Sequence, residues 1–111
     1  MPAGSEREGR RERVRERRRA LAEVADALGG AARETILLEH PDKHQRELAL
    51  LEALLPEGGA ALDVGGGVGV NLACLARLRP DVRGTLVDRF AEYDEGNRMG
   101  TAEQAVELLR G

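Results

Sequence analysis

Apolar positions in this 111-residue chain recur with a helical period over most of its length and tighten into two short runs near its centre. Leu21, Val24, Ala25 and Leu28 mark one face of a helix that Gly29-Gly30 closes, and a second short helical piece covers Ala31 to Leu38. Asp42 with Gln45 reads as an N-cap, opening a helix through Leu48, Leu51, Leu54 and Leu55 that Pro56 and Gly58-Gly59 terminate. The pattern then changes period. Ala60, Ala61, Leu62 and Val64 suit a strand buried on both faces. A helix from near Val70 turns Leu72, Leu75, Ala76 and Leu78 toward the sheet, Pro80 and Asp81 mark its exit, and a second strand ends at Asp88. Thr101 reads as a further N-cap with Gln104, and Ala102, Ala105, Val106 and Leu109 form the stripe of a last helix ending at Gly111.

The candidate chemistry lies in the turn between the two strands, Asp63-Val64-Gly65-Gly66-Gly67-Val68-Gly69. Glycines there can take positive φ and let a ligand touch backbone with no Cβ in the way. A strand, a glycine-dense turn, a helix and a second strand ending on a carboxylate make one half of a nucleotide-type cofactor site. A dinucleotide site wants G-x-G-x-x-G, and the third position falls on Val70 counting from Gly65 or on Leu72 counting from Gly67. What the chain carries is Asp63-x-Gly65-x-Gly67-x-Gly69.

That spacing resembles motif I of the class I S-adenosylmethionine-dependent methyltransferases. The resemblance implies that Asp63 supports the loop near the methionine amine, and that Gly65, Gly66, Gly67 and Gly69 let the backbone approach methionine and ribose. It also implies that Asp88 accepts hydrogen bonds from both ribose hydroxyls, with Arg89 or Phe90, just beyond, placed to lie beside the adenine. An ionised carboxylate offers two acceptor oxygens and no donor, which suits a vicinal diol. The wording from Leu62 to Asp88 looks most like small-molecule O-methyltransferases, so a small-molecule methyl acceptor is expected. The fold class expected is α/β, a partial Rossmann-like parallel sheet preceded by an N-terminal helical segment. Residues 1–19 form a charged segment, 20–58 a helical lead-in, and 59–111 the incomplete cofactor-binding unit.

Two strands leave much of a parallel sheet uncovered, so the chain reads as the truncated front part of an enzyme. The alternatives are a non-catalytic or partner-completed binding module, formed with a second chain or as a homo-oligomer, and a dinucleotide-binding fragment.

Charge is unevenly distributed. Residues 1–19 hold eight arginines against four glutamates, net +4, whereas the remaining residues carry nine basic and sixteen acidic side chains, net −7. Interleaved Glu and Arg predict a solvated helix or frayed tail, with no aromatic to stack on bases and no apolar face to enter a membrane. Nucleic acid is therefore disfavoured as a partner, and no membrane is expected. His40 and His44 are separated by Pro41 and lack a third ligand nearby, so surface or capping roles are expected and no metal. Cys74 falls within the central helix, as a small core residue. A lone cysteine excludes an internal disulfide, and without a signal peptide or long apolar run the expected location is cytoplasmic.

Overall fold

The structure, a computed structural model, describes residues 3–64, 69–87 and 102–110. Helix α1 (Ala3–Leu28) runs unbroken through residues 19 and 20, where the charge balance changes. Ala20, Leu21, Val24 and Ala25 on its second half are buried, the face that the helical period marks. Gly29 and Gly30 then take φ of 67° and 52°, left-handed values that end a helix at little cost only in glycine. The short helix α2 (Gly30–Glu34) leads into one π-helical turn, Thr35–Glu39, whose Ile36 is fully buried.

Helix α3 (Pro41–Leu54) starts two residues earlier than the Asp42/Gln45 capping box predicts, with His40 in place of Asp42 at the N-cap and Pro41 in the first turn. Proline is pre-set for that position because its missing N–H would have no helical partner there. Gln45 is drawn away from capping: its amide nitrogen donates to the Val14 carbonyl at 3.4 Å, and its oxygen accepts from Arg17 Nε. Arg17 also pairs with Glu52 at 3.1 Å, so one largely buried guanidinium fastens α1 to α3.

Strands β1 (Ala60–Val64) and β2 (Arg83–Val87) pair in parallel, Ala60 opposite Arg83 and Val64 opposite Val87, with α4 (Val70–Leu78) between them in sequence. The strand bounds follow the expected pattern, but the burial does not. Among the described residues helices cover only one sheet face, so Ala61 and Asp63 are half-buried while Leu62 and Val64 are 65% and 73% exposed. Burial on both faces is therefore corrected. Helix α4 buries Val70, Leu72, Ala73, Cys74 and Leu75 between the sheet on one side and α1 and α3 on the other, whereas Ala76 is exposed. Helix α5 (Ala102–Arg110) buries Ala105 and Leu108 and leaves Val106 half exposed, a rotation from the expected stripe; its predicted cap Thr101 lies outside the described residues.

The amino-terminal edge of the sheet is held by polar contacts. Arg79 grips the Asp81 carboxylate through two nitrogens at 2.9 and 2.8 Å and donates to the carbonyls of Glu52, Leu55 and Pro56. Asp81 also accepts the Gly58 N–H at 2.8 Å, and these contacts hold its carboxyl below the usual carboxylate range. The turns before β1 and β2 are thereby tied together, which sets the register that follows. No helix among the described residues is long and apolar enough to cross a membrane.

Candidate cofactor-binding site

Because Val64 stands opposite Val87, both strands run out at one edge, the same edge from which α4 departs. Parallel pairing demands this, since α4 must return the chain to the other end of the sheet before β2 begins. Asp63 sits one residue before the end of β1 on the half-buried face, opposite Leu86. Gly69 is the N-cap of α4 with φ 82° and ψ 37°, and its carbonyl accepts the Ala73 N–H at 2.8 Å. A Cβ at Gly69 would stand 3.3 Å from both Leu109 Cδ1 and Leu86 Cδ2. Glycine is thus favoured there by the left-handed turn, with close packing as a smaller contribution, before any ligand is considered. Gly69 has no side chain with which to cap α4, so the first N–H groups of the helix have no partner from the N-cap residue. Gly65, Gly66, Gly67, Asp88 and Arg89 lie outside the described residues.

Behind the first turn of α4 lies a polar cluster that the sequence reading missed. Asn71 donates to Glu47 Oε2 at 2.9 Å, Lys43 approaches the other Glu47 oxygen at 3.7 Å, and His44 is buried at 8% exposure. A surface role for His44 is therefore corrected, while His40 is exposed at the N-cap position of α3, where its side chain makes no capping hydrogen bond. Spacing held the signal: His44, Leu48 and Leu51 lie at i, i+4 and i+7, which puts the imidazole on the apolar stripe of α3. Burial lowers the His44 pKa and Lys43 adds to this, against the opposing pull of Glu47 and Asn71. His44 Nδ1 and Asn71 Oδ1 are both buried, and among the described residues neither has a hydrogen-bond partner.

Cys74 is fully buried, as expected of a core residue, and burial pushes its thiol up to about 12. A thiol held protonated is no nucleophile at neutral pH. Among the described residues, no group of three or more His, Cys, Asp or Glu side chains is placed to hold a metal ion.

No family model matches the chain, and no solved structure does. Two curated proteins do. The chain is 35% identical over 69 residues to ribosomal RNA small subunit methyltransferase G of Thermobifida fusca (strain YX), covering 62% of this chain and 27% of that protein. It is 39% identical over 46 residues to the protein of the same name from Pseudarthrobacter chlorophenolicus, covering 41% of this chain and 21% of that one. The chain thus spans about a quarter of the length of these relatives. Both names include ribosomal RNA, which overturns the expectation that nucleic acid is disfavoured and with it the expected small-molecule acceptor. The likeness to small-molecule O-methyltransferases is likewise unsupported.

Proposed function

We propose that this chain is the cofactor-binding part of an S-adenosylmethionine-dependent methyltransferase whose methyl acceptor is small-subunit ribosomal RNA. The observation that carries the reading is the match to two relatives named as methyltransferases of that RNA. The flush strand ends supply a fitting edge: the half-buried carboxylate of Asp63, a left-handed glycine at Gly69 and the uncapped start of α4 converge there. A zwitterionic and sugar-bearing ligand suits that donor and acceptor set, because backbone N–H groups meet its anionic end and carboxylates accept from its hydroxyls and ammonium.

When bound, S-adenosylmethionine supplies an electrophilic methyl group on a sulfonium. The chain's part is to bind and orient. In this proposal Asp63 supports the glycine turn, Gly65, Gly66, Gly67 and Gly69 admit the ligand to the backbone, Asp88 takes the ribose hydroxyls, and Arg89 lies along the base. Holding the cofactor in one pose beside its acceptor lowers the entropy cost of transfer, and exclusion of water strengthens each polar contact.

Calorimetry with S-adenosylhomocysteine tests the reading. Binding should be measurable, and Asp88→Ala should weaken it by about 1.5–3 kcal/mol, the range for a hydrogen bond to a charged group. Thermal stabilisation by NAD and none by S-adenosylhomocysteine would reverse it.

A further inference from the structure

The first half of α1 sorts its charges by face. Arg7, Arg11, Arg15 and Arg18 follow one another at steps of four, four and three residues, with Arg10 alongside, and together with Val14 they line one shallow recess. Glu8, Glu12 and Glu16, at steps of four, stack on an adjacent face. All five arginines are exposed. Only Arg15 is engaged, by Glu12 at 2.7 Å, and among the described residues no ion pair or hydrogen bond occupies Arg7, Arg10, Arg11 or Arg18. From Arg7 to Arg18 the stripe is about 16 Å long at 1.5 Å per residue.

Three side-chain links orient this stripe relative to the candidate site. Val14 is joined to Gln45 early in α3, Glu47 of α3 is joined to Asn71 in the first turn of α4, and Glu23 is joined to Arg77 in the last turn of α4. Residue numbers rise together along the three helices, so α1 advances in the same sense as α3 and α4. The residues before Val14 therefore project toward the end at which α4 begins, where Gly69 stands and β1 runs out. The 52 Å long axis of the molecule, against 30 and 19 Å, accommodates such a projection.

We infer that the Arg7–Arg18 stripe is a docking surface for the RNA phosphate backbone, holding the acceptor strand over the cofactor edge. This rests on the proposed RNA methyltransferase reading. Guanidinium forks match phosphate oxygens in pairs, and a row of them on a preformed helix tracks consecutive phosphates without reading sequence. A membrane surface is the poorer occupant, because an interfacial helix buries Trp, Phe or Leu, and the only branched apolar residue beside these arginines is Val14.

The test is fluorescence anisotropy of the full chain with a short labelled RNA hairpin, as a function of salt. Engagement of four to five phosphates gives a log–log slope of about −3 to −4.5, or roughly 60- to 500-fold weaker binding at 200 mM than at 50 mM salt. Replacing Arg7, Arg11 and Arg18 by Gln keeps good helix formers at exposed positions, and should cut that salt effect to about three- to twelvefold. A control triple off the stripe, Arg13→Gln, Arg33→Gln and Arg46→Gln, removes the same charge and should leave the slope within about one unit of wild type. Equal flattening by both triples would overturn the inference, as would binding to phosphatidylserine vesicles with none to RNA. If S-adenosylhomocysteine binds while RNA does not, the stripe inference falls alone; if RNA binds through the stripe while S-adenosylhomocysteine does not, the cofactor reading falls alone.

Discussion

Replacement of Gly69 probes whether the turn into α4 is set by its backbone or by its surroundings. At φ 82° an L-residue brings its Cβ against its own backbone, which costs about 1–2 kcal/mol. A Cβ there also meets Leu109 and Leu86 at 3.3 Å, a distance that those side chains can relieve by moving a few tenths of an ångström. Gly69→Ala should therefore lose about 1.5 kcal/mol, a fall in Tm of roughly 6–12 °C for a domain of this size. Gly69→Asn places the same first carbon in the same space but tolerates the left-handed region, so it should fall between wild type and the alanine variant. Gly84→Ala is the steric counterpart: its Cβ would stand 3.0 Å from the flexible end of Leu72, with no positive φ to strain. Urea and thermal denaturation give the comparison directly. Equal stability of wild type, Gly69→Asn and Gly69→Ala would refute a left-handed Gly69, and the strand-to-helix geometry of the candidate site would need revision.

Cys74 should resist thiol reagents at pH 8 in the native state and react on unfolding; because its folded pKa of about 12 lies above its ordinary value of 9.0, it stabilises the fold below pH 9, and that contribution is lost as pH rises toward 12. His44 has the opposite sign: its lowered folded pKa gives stability that is present above pH 6.5 and lost as pH falls, so His44→Gln should flatten the acid limb of a stability–pH profile, and an unchanged limb would place the titration elsewhere. Leu62 and Val64 present an apolar face on β1, so Leu62→Lys should reduce concentration-dependent association measured by sedimentation, and a wild-type protein that stays monomeric at high concentration would count against that face as sticky.

The β1–α4–β2 unit was legible to within a residue or so. Gly59 and the glycine turn bound β1, Pro80 and Asp81 end the helix, and each signal acts through backbone preferences of a few neighbouring residues. Helix α1 was likewise legible at its end, where Gly29 and Gly30 supply the left-handed stop. The start of α3 was misplaced by two residues because two local signals compete there. Pro41 favours N1 while Asp42 favours the N-cap, and Gln45, the partner that would decide for Asp42, is recruited by Arg17 and Val14 from another helix.

The candidate site divides along the same line. The order of acid, glycines and second acid is a property of the chain, and so is the need for a glycine where the strand gives way to a helix. Which face of β1 is covered is not such a property: Leu62 and Val64 are as apolar as any core residue, yet the described helices pack on the other side. The burial of His44, the link of Asn71 to Glu47, and the clamp of Arg79 on Asp81 and three carbonyls all join residues distant in sequence or set by packing. Charge followed suit, for the sequence determined how many arginines lie in residues 1–19, and the docking of α1 on α3 through Arg17 decided which of them face outward. Backbone preferences are local energies that a short segment expresses alone, whereas burial and charge presentation depend on which surfaces meet, a choice made only when the whole chain packs.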